Sequence, residues 1–153
     1  MENTSMQIIL NKFSVMETIS KFSYYADHHE WENLRKLFTN QINIDYTSLA
    51  GGEPAKLDAE TLVKHWEPAL SKYKMTQHVI TNHIIELQDE STATCKAYFQ
   101  AFHEHPYKFG DDKWTLGGEY HFSLLKVNDV WEISGITMTA KWGSGNPNLL
   151  AEH

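Results

Sequence analysis

Residues 76–105 read TQHVITNHIIELQDESTATCKAYFQAFHEH, two long runs, Thr76 to Gln88 and Thr92 to His105, parted by Asp89-Glu90. β-Branched and aromatic residues dominate both runs and an acidic break separates them, the pattern of consecutive antiparallel strands. Two further runs of the same character, Lys113 to Val127 and Val130 to Trp142, follow after Pro106 to Asp112 and Asn128-Asp129. Upstream the period changes. From Met6 to Asp27 the apolar residues Ile9, Phe13, Met16, Ile19, Phe22 and Ala26 recur at steps of three and four, as an amphipathic helix demands. Glu30 to Phe38 continues with Trp31, Leu34, Leu37 and Phe38 at helical spacing. Gln41 to Thr47 alternates as a short strand, Ser48 to Pro54 forms a loop, and Asp58 caps a third helix carrying Leu62, Val63, Trp66, Ala69 and Leu70. Helices first and a long meander afterwards predict an α+β fold, with the N-terminal helices packed in a strongly curved, mostly antiparallel sheet. Such a cone encloses a pocket.

Composition narrows the function. At 153 residues the chain fits one domain, expected to span 1–153 with a core of about 6–145, and no repeat or linker-like tract divides it. With 41% hydrophobic and 22% charged residues it has enough apolar surface for a core. A net charge of −7 without a Lys/Arg run removes the footprint that nucleic acid or an anionic membrane requires. No apolar stretch approaches the length that spans a bilayer. Glu2 stands where a signal peptide would be basic, so a cytoplasmic location is expected. Cys95 is the only cysteine, which excludes an internal disulfide and a thiolate zinc site. Its apolar strand face argues against a reactive thiolate.

Neither Gly51-Gly52 nor Gly117-Gly118 has the spacing or the Lys of a phosphate-cradling loop, and no serine sits in a nucleophile elbow. Proton-transfer chemistry remains. Helical steps place Ser20, Tyr24 and Asp27 on one side of the first helix. Strict alternation from Thr76 puts His78, Ile80, Asn82 and Ile84 on one face and His83 on the other, while His103 shares an inward face with Cys95, Ala97, Phe99 and Ala101. An inward His beside a helix acid makes a base oriented by a carboxylate. Satisfied core histidines are the competing reading, and His78, His103 and His105 as a three-imidazole metal site are a further one. Trp114, Tyr120, Phe122 and Leu124 alternate inward, as core or as walls of an aromatic-accepting pocket.

The order of motifs Ala26-Asp27-His28-His29-Glu30-Trp31, Ile44-Asp45-Tyr46-Thr47-Ser48, Thr76-Gln77-His78, Ala101-Phe102-His103 and Trp142-Gly143 resembles the scytalone dehydratase family. More broadly it resembles the polyketide-cyclase (SnoaL)-like branch of the nuclear transport factor 2-like superfamily, over about residues 6 to 145. The resemblance implies a cofactor-independent lyase that removes a proton beside a carbonyl and eliminates water from a cyclic or aromatic hydroxyketone. It implies His78 as base and proton shuttle, Asp27 as its orienting acid, Tyr46 as a carbonyl polariser and His103 as a contact to substrate or leaving oxygen. Tyr24, Asn82, Phe99, Trp114 and Tyr120 are the expected substrate contacts. Two departures stand out: Ala26 where the family has a tyrosine before the Asp, and Gly118 and Tyr120 at its Ser and Asn positions. An isomerase, a polyketide-type cyclase and a non-catalytic binding module remain alternatives. No metal or other cofactor is expected, the partner is a small hydrophobic or aromatic molecule, and relatives suggest a dimer or trimer.

Overall fold

The computed structural model describes residues 4–150. Met1–Asn3, with the Glu2 of the leader argument, and 151–153 fall outside the described residues. Helix α1 (Ser5–Asp27) starts where the Thr4 side chain accepts a hydrogen bond from Gln7 N at 3.2 Å, a standard N-cap. It buries Val15, Ile19, Phe22 and Ala26. The inward stripe also takes Asn11 near the start of the helix, and of the expected stripe Ile9 and Phe13 fall outside it, 61% and 59% exposed. Periodicity identifies a helix but not which of two neighbouring stripes faces the core.

His29 takes a left-handed backbone (φ 57°) and reverses the chain into α2 (Trp31–Lys36). Strand β1 (Phe38–Asp45) follows, beginning three residues before the expected one. Two elements escaped pattern reading: α3 (Thr47–Ala50), which overlaps the expected loop, and β2 (Ala55–Asp58), which follows it. Helix α4 (Ala59–Ser71) begins after Asp58, whose carboxylate accepts from the Gln41 amide instead of capping the helix.

The four long strands are β3 (Met75–Leu87), β4 (Thr92–Glu104), β5 (Lys113–Val127) and β6 (Val130–Gly145). A short 3-10 turn, Pro147–Leu150, closes the described chain. All strands join one sheet in the order β2-β1-β6-β5-β4-β3, antiparallel throughout except for the parallel pair β1/β6. The hairpin between β5 and β6 turns on Asn128 and Asp129, both with positive φ, as a two-residue turn matched to strand twist requires.

α1 and α4 lie in the concave side. Phe22 makes edge contacts with Phe38, Trp66, Tyr120 and Phe122 at ring-centre distances of 5.7–6.2 Å, tying α1, β1, α4 and β5 into one core. Among the described residues, no helix is long and apolar enough to cross a membrane.

One irregularity changes the faces. The β3/β4 pairing shifts register between Thr81 and Ile84, and Asn82 has φ 59°. The bulge inserts one residue and reverses the phase of alternation. Thr76, His78 and Ile80 face inward before it, and His83, Ile85 and Leu87 after it. Strict alternation is therefore corrected: His78 and His83 share the inner side, and Ile84 is exposed.

Candidate active site

Asp27 is the last residue of α1, where the helix dipole presents its negative end and an acid is poorly placed. Three donors compensate it. β3 is an edge strand, so the His78 N–H has no neighbouring strand on that side and donates to Asp27 Oδ2 at 2.8 Å. Thr76 and His78, two residues apart, face the same way. Thr76 Oγ1 donates to Oδ1 at 3.0 Å and His78 Nδ1 lies 2.6 Å from the same oxygen. A carboxylate accepts only, so Nδ1 carries a proton, and in the neutral imidazole Nε2 holds the lone pair. Both side chains are nearly withdrawn from solvent, 10% and 14% exposed, which keeps the pair from dilution by water.

His103 pairs across the β4/β5 ladder with Trp114. Its Nδ1 lies 3.1 Å from the Trp114 carbonyl, and its ring stacks on the indole at 4.6 Å. The carbonyl requires a donor, so Nε2 is again the unprotonated nitrogen. Burial, helped by the nearby His78, lowers its pKa to about 4, against the smaller opposing pull of the Trp114 carbonyl and Asp27. His103 is neutral at pH 7. The two imidazole rings stand 6.1 Å apart, edge to face.

The phenols of Tyr46, just after β1, and Tyr120, on β5, face one another closely enough to interact. Burial raises Tyr120 to about 12 and Tyr46 well above its ordinary value, with Tyr120 adding to the rise at Tyr46. Both remain protonated and act as donors. Tyr120 is held between Phe99 (4.5 Å) and Phe122 (5.1 Å).

These groups meet at a cavity of about 170 Å³ in the cone. Tyr46, His78, Phe99, His103, Trp114 and Tyr120 line it, with Asp27 directly behind His78. Tyr24 and Asn82 do not. Tyr24 is 55% exposed and stacks on His28 at 4.0 Å, because Ser23 and Ala26, each one position before Tyr24 and Asp27, are the residues turned inward. Asn82 sits in the bulge on the outer face. Ser23, Trp66 and Tyr73 are cavity residues that the sequence reading did not assign. Ser23 lies one helical turn before Asp27, a spacing that could have identified it.

Two larger open grooves of about 570 and 710 Å³ lie on the outer sheet face, away from Asp27, His78 and His103. Size does not mark the chemistry here. Among the described residues, no group of three or more His, Cys, Asp or Glu side chains is placed to hold a metal. Cys95 is buried and its thiol is pushed up to about 11 by desolvation.

The model of the SnoaL-like domain family matches residues 9–137, most of the chain. The chain belongs to the SnoaL-like family. Solved structures carry the same NTF2-like cone. The Kfla4162 protein from Kribbella flavida aligns with a TM-score of 0.89 at 24% identity, covering 95% of this chain and 99% of that one. A Novosphingobium aromaticivorans protein provisionally described as a scytalone dehydratase aligns at 0.82 with 17% identity, covering 94% and 92%. The LinA-type3 hexachlorocyclohexane dehydrochlorinase from Novosphingobium barchaimii aligns at 0.75 with 11% identity, covering 94% and 95%. At such identities the likeness establishes the SnoaL-like fold. No curated protein matches the chain by sequence.

Proposed function

We propose that this SnoaL-like protein is a cofactor-independent lyase that dehydrates a small cyclic or aromatic hydroxyketone. The observation that carries the reading is the 2.6 Å contact of Asp27 Oδ1 with His78 Nδ1 in a histidine whose other nitrogen is left for the cavity. Asp27 fixes the tautomer and stabilises the imidazolium as it forms. His78 Nε2 takes the proton from the carbon beside the substrate carbonyl, and the C–H electron pair moves into an enolate. The Tyr46–Tyr120 pair donates a hydrogen bond to the enolate oxygen in an apolar surround, where such a donor is worth most.

As the carbonyl re-forms, the new C=C bond expels the β-hydroxyl. The proton on His78 Nε2 goes to the departing oxygen, water leaves, and the histidine returns to its starting state. One nitrogen accepts and returns the proton, so proton and hydroxyl depart from the same face of the substrate. His103 has no proton on Nε2 and serves as an acceptor for a substrate hydroxyl.

That an N. aromaticivorans neighbour is provisionally described as a scytalone dehydratase and LinA-type3 as a dehydrochlorinase supports an elimination in this cone. The test is NMR of α-proton exchange in deuterated water over hydroxylated cyclic ketones, comparing wild type with His78→Ala. Exchange that depends on His78, with a product lighter by one water, supports the lyase. Product of unchanged mass assigns the dyad to isomerisation, and no exchange with any bound ketone ends the enzymatic reading.

A further inference from the structure

Among the described residues the cavity wall carries no Lys or Arg, and its donors are neutral: the phenols and the Trp66 and Trp114 indoles, with the Tyr73 hydroxyl donating to the Leu149 carbonyl. The Asp27 carboxylate stands immediately behind His78. An anionic ligand would lose its hydration and meet a negative charge instead of a cation. With Nδ1 of each histidine committed to an acceptor, His78 and His103 both turn lone pairs toward the ligand. The tyrosine pair has two hydroxyl protons, so even with one phenol donating to the other it keeps one to donate. Ser23 Oγ already donates to the Ser20 carbonyl at 3.1 Å. The ligand must therefore bring at least one donor of its own.

Size sets the second limit. An apolar cavity of ~150 Å³ takes a benzene molecule, so about 170 Å³ holds one six-membered ring with small substituents. The walls that set this limit are large aromatic groups with little freedom to move. Trp114 is fixed by the His103 stack and Tyr120 by Phe99 and Phe122. A second fused ring must displace one of them or stand out of the cavity mouth.

Resting on the lyase reading above, we propose that the substrate is an uncharged single-ring compound whose hydroxyl donates to His103 Nε2 while an oxygen acceptor takes the free Tyr46–Tyr120 proton. His103 is thus a specificity-determining residue: it distinguishes a hydroxyl from its methyl ether. Losing the donor leaves a buried imidazole nitrogen unsatisfied, which costs about tenfold in affinity.

Four probes test this by titration calorimetry on the whole protein: phenol, anisole, benzoate and 2-naphthol. Phenol is expected to bind saturably, anisole about tenfold more weakly and benzoate about 100-fold more weakly. 2-Naphthol should bind less well than phenol despite its greater apolar surface. His103→Phe should abolish the difference between phenol and anisole. Because that variant disturbs a buried stack, ¹⁵N NMR of wild-type His103 supplies an independent reading. Nδ1 should be the protonated nitrogen, and Nε2 should shift with phenol and not with anisole. The proposal is overturned by no saturable phenol binding, by anisole equal to phenol, by benzoate or 2-naphthol binding as well as phenol, or by a proton on Nε2. Binding needs no turnover, so a site that holds phenol yet exchanges no α-proton defeats the lyase alone. Exchange on a fused-ring or anionic ketone defeats this inference alone.

Discussion

Replacing Asp27 with Asn probes the dyad with the smallest change of shape. The carboxylate accepts from His78 N, His78 Nδ1 and Thr76 Oγ1 at 2.8, 2.6 and 3.0 Å. An amide cannot serve all three. With its oxygen toward Nδ1, its NH₂ opposes the His78 backbone N–H, a donor that cannot be removed. With its oxygen toward the backbone, its NH₂ donates to Nδ1 and the ring must place its proton on Nε2. The imidazole can change tautomer and the backbone cannot, so the second arrangement wins and the lone pair facing the cavity is lost. Loss of a correctly held base costs about 10³- to 10⁴-fold in turnover, equivalent to about 4–5.5 kcal/mol of transition-state stabilisation. Folding should survive, weakened by about 1–3 kcal/mol for the imperfect hydrogen bonds. The assay is deuterium exchange at the α-carbon, with circular dichroism as control and ¹⁵N shifts to read the tautomer. A folded Asp27→Asn protein exchanging within about tenfold of wild type would refute the orienting role of Asp27.

Tyr120→Phe removes one phenol of the donor pair and should lower turnover by about 100-fold with little change in melting temperature; steady-state kinetics beside a thermal melt would show an unaffected rate if the pair is only structural. The His103 pKa of about 4 lies below the ordinary 6.5, so the unfolded chain binds the extra proton first. Its stabilising contribution is complete above about pH 6.5 and drains as pH falls toward 4, by about 3 kcal/mol at most. Urea melts across that window should show the loss, and His103→Gln should flatten it; a slope unchanged by the substitution would contradict the assignment. A Cβ at Gly118 would stand 1.9 Å from the Thr139 carbonyl oxygen. Gly118→Ala should therefore destabilise by about 1–3 kcal/mol, and a melting temperature equal to wild type would disprove that packing.

The four long strands were legible because their period-two runs are bounded by residues that only turns tolerate, such as Asn128-Asp129 with positive φ at both positions. Asp27, His78 and His103 were legible as chemistry-bearing types on inward faces, and through the family resemblance. Asn82 was misplaced because parity counting assumes an unbroken ladder, and a bulge at a non-glycine residue leaves no strong local signature. Tyr24 was misplaced by a helical step: about 100° separates neighbours, so choosing 20-24-27 over 23-27 turns the face outward. Ala55–Asp58 carries no alternation to find, since it is a four-residue edge strand with its side chains largely in water. Ile9 and Phe13 follow the rule for burial and are exposed, because the cone takes the neighbouring stripe of α1, on which Asn11 accepts from Trp131 Nε1 and Lys126 Nζ.

The bulge at Asn82 also divides β3 into two segments that can vary separately. Thr76–Thr81 is pinned by the pairing of His78 with Ala101 and by the carboxylate at the end of α1, while Ile84–Leu87 is pinned by pairing with Lys96–Ala93. Length changes at the joint can be absorbed as a turned-over distal segment, without rotating the histidine out of the cone. A strand built this way insulates the reacting end from drift at the other, so homologous cones can remodel the core beyond the bulge while the proton-transfer pair keeps its alignment.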